Sequence, residues 1–100
     1  MEQTMTKEDL KKLDKLIDML ESYMNKTGTL MLDITNDLRY MYNHERMSYW
    51  VYDKRKQPNS LVVKVESNDR SVIVETFKDY IEEGCFSLIQ MERWLMERLT

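Results

Sequence analysis

Thr29-Leu30-Met31-Leu32-Asp33-Ile34-Thr35-Asn36-Asp37-Leu38-Arg39-Tyr40-Met41-Tyr42-Asn43 is the stretch whose reading decides the fold. Leu30, Ile34, Leu38 and Met41 recur at intervals of three and four, the period of one helix face. Leu30, Leu32 and Ile34 also alternate as a short strand would. The length of the stretch favours a helix, starting as late as Thr35. Such a helix would fold back antiparallel, through the turn at Gly28, on whatever precedes it.

Upstream, the pattern is unambiguous. Thr6 stands where an N-cap belongs, with Glu8 and Asp9 in the first turn where acids favour the helix dipole. Met5 and Leu10 have the spacing of a hydrophobic staple. Leu10, Leu13, Leu16, Ile17, Leu20, Tyr23 and Met24 make one wide apolar stripe, and Gly28 supplies the left-handed stop. A helix over about 7–26 follows. Downstream, Met47–Asp53 is rich in Tyr, Trp and Val and reads as a strand, with Leu61–Ser67 as its partner. Residues 53–60 carry the only Pro and dense charge, hence a loop.

Two readings compete after Asn68. A tight turn at Asn68-Asp69 would oppose Val65 to Val72 and make a third strand near 71–75. A cap at Asp69 would open a helix from about 71, with Ile73, Phe77, Tyr80 and Ile81 inward and Gly84 ending it. The pattern beyond Phe77 is only helical, so the helix is preferred. Ser87 and Gln90 then form a capping box, Phe86 and Met91 a staple, and Leu88, Met91, Leu95 and Leu99 the buried face of a last helix. The expected architecture is a single small α+β domain over residues 1–100, in the order α-α-β-β-α-α, with an antiparallel strand pair packed against helices.

Composition removes most chemistries. One hundred residues with 42% apolar and ten aromatics can build one core. A single Cys85 forbids an intrachain disulfide, and one His with one Cys cannot assemble a structural zinc set. Only Gly28 and Gly84 are present, too few for a phosphate-cradling loop. The acidic N-terminus is not a signal peptide, and no apolar run spans a membrane, so a cytoplasmic protein is expected. The absence of Ala beside frequent Lys, Met, Asn and Tyr fits an A+T-rich gene, as in some phage or mobile elements.

Charge is distributed unevenly. Residues 1–38 sum to −3, residues 39–65 to +4 and residues 66–100 to −4. The basic middle also holds five of the ten aromatics. Arg39, Arg46, Tyr49, Trp50, Lys54, Arg55 and Lys56 therefore form a candidate surface, since cations attract phosphate and aromatic planes stack on bases. The same residue types also anchor protein interfaces. Along the strand, Tyr49 and Val51 share one face, Trp50 and Tyr52 the other. Only one face can line the core, so something covers or uses the second. A winged-helix arrangement around residues 48–66 fails on length, because residues 29–47 hold one helix rather than two.

Glu75, Asp79, Glu82 and Glu83 make an acidic ridge opposite Phe77 and Ile81. Such a ridge solvates the helix or docks in a basic groove, as small inhibitors encoded by mobile elements do. Leu10, Leu13, Ile17, Leu20 and Met24 form a 3,4,3,4 series that either packs in the monomer core or pairs with a second copy in a homodimer. His44 suits an exposed or capping role and Cys85 a buried thiol; no flanking motif joins them as a catalytic pair. The expectation is a non-catalytic regulator or inhibitor with no cofactor and no metal, binding a protein partner. Nucleic-acid binding through the basic aromatic segment 39–56 is the alternative.

Overall fold

The computed structural model describes residues 4–66 and 69–99. It begins with α1 (Lys7–Thr27), continues with β1 (Met31–Asp33), β2 (Leu38–Asn43), β3 (Ser48–Asp53) and β4 (Leu61–Val65), and closes with α2 (Ser71–Glu82) and α3 (Leu88–Leu99). The strands form one antiparallel meander in the order β1-β2-β3-β4. The element order is therefore α-β-β-β-β-α-α, not α-α-β-β-α-α. The fold remains a small α+β arrangement. Among the described residues, no helix is long and apolar enough to cross a membrane.

The correction lies in residues 29–43, which form two strands and a turn instead of a helix. The side chain of Thr35 closes that turn: its Oγ1 accepts from the backbone N–H of Asp37 and of Leu38, each at 3.1 Å. Ile34 N–H bonds the Leu38 carbonyl at 2.9 Å. Hydroxyl and carboxamide side chains offer the backbone such turn bonds in competition with helix. Once the chain reverses at Asn36-Asp37, Leu32 opposes Tyr40 and Met31 opposes Met41. The helical spacing of Leu30, Ile34, Leu38 and Met41 was a coincidence across two strands. The alternation through Leu38, Tyr40 and Tyr42 was the real signal.

The remaining elements follow their local codes. The α1 cap is a full box: Asp9 N–H reaches Thr6 Oγ1 at 3.2 Å, and Thr6 N–H reaches Asp9 Oδ2 at 3.1 Å. Gly28 ends α1 at φ 73°, where a Cβ would be strained. Residues 71–75 are helix rather than a third strand. The box at α3 is present too, with Ser87 N–H on Gln90 Oε1 at 2.9 Å and Gln90 N–H on Ser87 Oγ at 3.2 Å.

All three helices pack on one side of the sheet. Leu13, Ile17 and Leu20 of α1, Ile73 and Phe77 of α2, and Leu95 of α3 are each fully buried. They meet Leu38 and Tyr40 of β2 and Tyr49 and Val51 of β3 in one core cluster. Phe77 is edge-on to Tyr40 at 5.5 Å and to Phe86 at 5.9 Å, a favoured aromatic geometry.

Two polar anchors sit in this core. Glu21 of α1 accepts from Tyr40 Oη at 3.2 Å and from Arg70 at 3.0 Å, and Arg70 also bonds Asp14 and Asp18. That fan of contacts fixes the start of α2 against α1. Asp53, at the end of β3, accepts from Tyr80 Oη of α2 at 2.9 Å and from the Arg55 backbone and guanidinium at 2.9–3.0 Å.

Candidate functional site

The other face of the sheet carries the side chains that the core does not take. Strand alternation sends Tyr49, Val51 and Asp53 inward, so Trp50 and Tyr52 point outward. Pairing register then builds two rows across the sheet. One runs Met31, Met41, Trp50, Lys64; the next runs Asp33, Arg39, Tyr52, Leu61. Met31 is 44% exposed and Leu61 46%. Met41, Trp50 and Tyr52 are partly exposed and stand outside the core cluster. A register irregularity between Val51 and Tyr52 interrupts the β3–β4 pairing there, and Val62 and Val63 both pack on the core.

The cations on this face have anionic neighbours within the chain. Arg39 Nε lies 2.8 Å from Asp33 Oδ1, and Lys54 Nζ lies 3.3 Å from Oδ2 of the same carboxylate. The Arg39 hydrogen bond, helped by Lys54, holds the Asp33 carboxyl below its ordinary range. Lys64 pairs with Glu66 at 3.0 Å. Three cations thus meet two carboxylates around an apolar and aromatic centre.

The basic aromatic segment is divided by the sheet. Arg39, Trp50 and Lys54 gather on the outer face. Tyr49 is buried on the inner one, where it stacks on Tyr42 at 5.1 Å and burial pushes its hydroxyl up to about 12. Arg55 turns to Asp53, lies 4.0 Å from Glu83 and sits over the Tyr80 ring at 5.8 Å. Arg46 and Lys56 are exposed in turns at opposite ends of β3. Met31, Met41, Leu61 and Lys64 join the outer face, and the sequence reading missed them. For Met31 and Met41 the signal was the two-residue alternation in 30–42, hidden while that stretch was read as helix. Leu61 and Lys64 stood on a strand already expected, and the register that sets them beside Tyr52 and Trp50 comes only from the assembled sheet.

The other candidates separate as well. Lys78 stands within the acidic ridge, 3.9 Å from Glu75 and 3.5 Å from Glu82, and Glu82 also accepts from the Met5 backbone. Asp79 and Glu83 are exposed. The ridge is thus an ion-paired helix surface. Leu13, Ile17, Leu20 and Met24 are buried in this chain's own core, with Leu10 half-buried beside them. Burial there leaves no free α1 stripe to meet a second copy. His44 lines a crevice with Gly28 and Tyr42, whereas Cys85 lines a different one with Leu20, Ile34 and Trp94. Among the described residues, no three His, Cys, Asp or Glu side chains are grouped to hold a metal ion.

The buried Glu21 carboxyl is raised above its ordinary range, chiefly by burial and against the pull of Arg70. Asp53 behaves oppositely, its carboxyl held far below the usual range by the Arg55 hydrogen bonds, with Tyr80 adding to them. Both groups serve packing, since each is fully engaged by neighbours. In comparisons with known proteins, the chain matches no family model, no curated protein and no solved structure.

Proposed function

We propose that this protein acts by binding another protein through the outer face of its sheet, as a cytoplasmic regulator or inhibitor that performs no chemistry itself. One observation carries the reading: Met31, Met41, Trp50, Tyr52 and Leu61 form an apolar and aromatic surface outside the chain's own core. Aromatic residues, Met and Arg are the types enriched in protein interfaces. Nucleic acid is the weaker occupant, because Arg39 and Lys54 share Asp33 and Lys64 has Glu66. Phosphate binding would have to displace those carboxylates before releasing counterions.

The test is affinity capture from the native host's lysate with wild type and with a Trp50→Ser/Tyr52→Ser variant, both verified as folded by circular dichroism. A specific protein retained by wild type and lost by the variant supports the reading. Equal capture by both removes the face from it. Retention of single-stranded DNA or RNA that falls steeply with salt, and that requires Arg39 and Lys64, would replace it with the nucleic-acid alternative.

A further inference from the structure

We infer that the protein bound by this face is a second copy of the same chain, the two sheets packing face to face as a two-fold sandwich. The inference rests on the proposal that the outer face binds protein, and it names the partner.

The order of side chains across the sheet is the argument. The β2 column presents Met41 and Arg39, and the neighbouring β3 column presents Trp50 and Tyr52 in matching rows. A two-fold axis running along the strands, between β2 and β3, lays β2 of one copy over β3 of the other. Met41 then meets the partner's Trp50, and Arg39 meets the partner's Tyr52. Thioether sulfur over an aromatic ring and guanidinium over a phenol ring are both attractive contacts. The same operation sets Met31 opposite the partner's Lys64 and Asp33 opposite the partner's Leu61, with that ammonium one row from Asp33. Each pairing occurs twice, as a closed two-fold interface requires. An axis across the strands instead lays each strand over its own mate. Centred on the Met41 row it sets Arg39 over the partner's Asn43, and centred on the Tyr40 row it sets Arg39 over the partner's Met41 and Tyr52 over the partner's Trp50, so neither position gives the Met41–Trp50 contact.

Charge is compatible with self-pairing. The face carries one cation more than its carboxylates neutralise, so two copies repel little, and Arg39 is offset from its own symmetry mate by the strand spacing. The footprint sets the strength. Four strands at about 4.8 Å spacing and five residues at about 3.3 Å each span roughly 19 by 17 Å. Side-chain relief brings the burial to roughly 1,000 Å² for both copies, the low end of specific interfaces. The dimer is therefore weak and concentration-dependent, with dissociation in the micromolar range or above.

Sedimentation velocity on the full chain, from about 5 to 500 µM, reads the equilibrium directly, a range chosen to bracket micromolar dissociation. Wild type should pass from monomer to dimer, and Trp50→Glu should weaken the dimer at least tenfold with an unchanged circular dichroism spectrum. A second measurement stands if Trp50→Glu misfolds. In a Cys85→Ser background, Met41→Cys and Trp50→Cys chains are mixed under mild oxidation. The mixed disulfide between them should form in preference to either symmetric one.

Wild type that stays monomeric throughout, a dimer indifferent to Trp50→Glu, or symmetric disulfides that match the mixed one would each overturn the inference. A monomeric wild type that captures a different protein, lost on Trp50→Ser/Tyr52→Ser, overturns the second copy alone and leaves the protein-binding role intact. A wild type that neither dimerises nor captures any protein removes both.

Discussion

Replacing Asp53 with Asn tests how the β3–β4 end of the sheet is held to the helices. The carboxylate is 1% exposed and accepts four hydrogen bonds, from the Arg55 backbone, Arg55 Nε and Nη2, and Tyr80 Oη. Asn keeps one acceptor oxygen but turns an amide N–H₂ toward the Tyr80 hydroxyl and Arg55 Nη2. The tyrosine can rotate to accept. The guanidinium cannot, and being half exposed it swings into water, so its departure adds little. The loss is that of a buried hydrogen bond to a charged group plus a poorly matched buried amide, about 2–3 kcal/mol. At about 4–8 °C per kcal/mol for a chain of this size, the midpoint should fall by roughly 10–20 °C. Urea unfolding followed by circular dichroism measures the free-energy loss, and a thermal melt measures the midpoint. Tyr80→Phe should cost about 1.5 kcal/mol, and the double variant less than the two single losses together, because the residues share one bond.

The same site fixes a sign for pH dependence. A carboxyl lowered in the folded state contributes stability that is complete above its unfolded value of about 3.9 and is lost as pH falls toward the folded one. Asp53→Asn should therefore flatten the acid limb of the stability curve. A variant within about 0.5 kcal/mol of wild type at pH 7, the scatter of surface substitutions, or one with an unchanged acid limb, would refute the role of Asp53 as an anchor.

Glu21 predicts the opposite limb. Its raised carboxyl makes folding favour the protonated form, so that contribution is complete below about 4.3 and fades as pH rises through the folded value. In Glu21→Gln, stability between mildly acidic and neutral pH should lose that dependence, read from urea midpoints at several pH values. Gly28→Ala should cost about 1 kcal/mol through backbone strain alone, since φ is 73° and no atom lies within 4 Å of an added Cβ; calorimetry checks it. Leu13→Ala, at a fully buried position, should cost about 2–5 kcal/mol by urea titration, far more than Leu61→Ala on the outer face.

Local codes and tertiary choices divide this protein clearly. The sequence by itself determined α1, because Thr6, the wide apolar stripe and Gly28 act within a few residues of one another. It determined α3 through Ser87 and Gln90, β3 and β4 through their β-branched and aromatic runs, and the preference for helix over strand after Arg70. That no intrachain disulfide can form was also a matter of counting, since Cys85 is the only cysteine.

Residues 29–43 were decided only by packing. Their apolar positions satisfy both periods, and an isolated segment gains nothing from choosing. With Leu38 and Tyr40 taken into the core that the helices share, and β3 offering a pairing edge to β2, the two-residue period buries more surface and satisfies the backbone laterally. The same holds for the candidate face. Alternation alone says that Tyr49 and Trp50 lie on opposite sides of a strand. Which side is core depends on α1, α2 and α3 all meeting on one face, through contacts 19 to 77 residues apart in the chain, such as Glu21 with Tyr40 and Met5 with Glu82. Burial is a property of the whole assembly, so only the assembled sheet could leave Trp50 and Tyr52 facing outward.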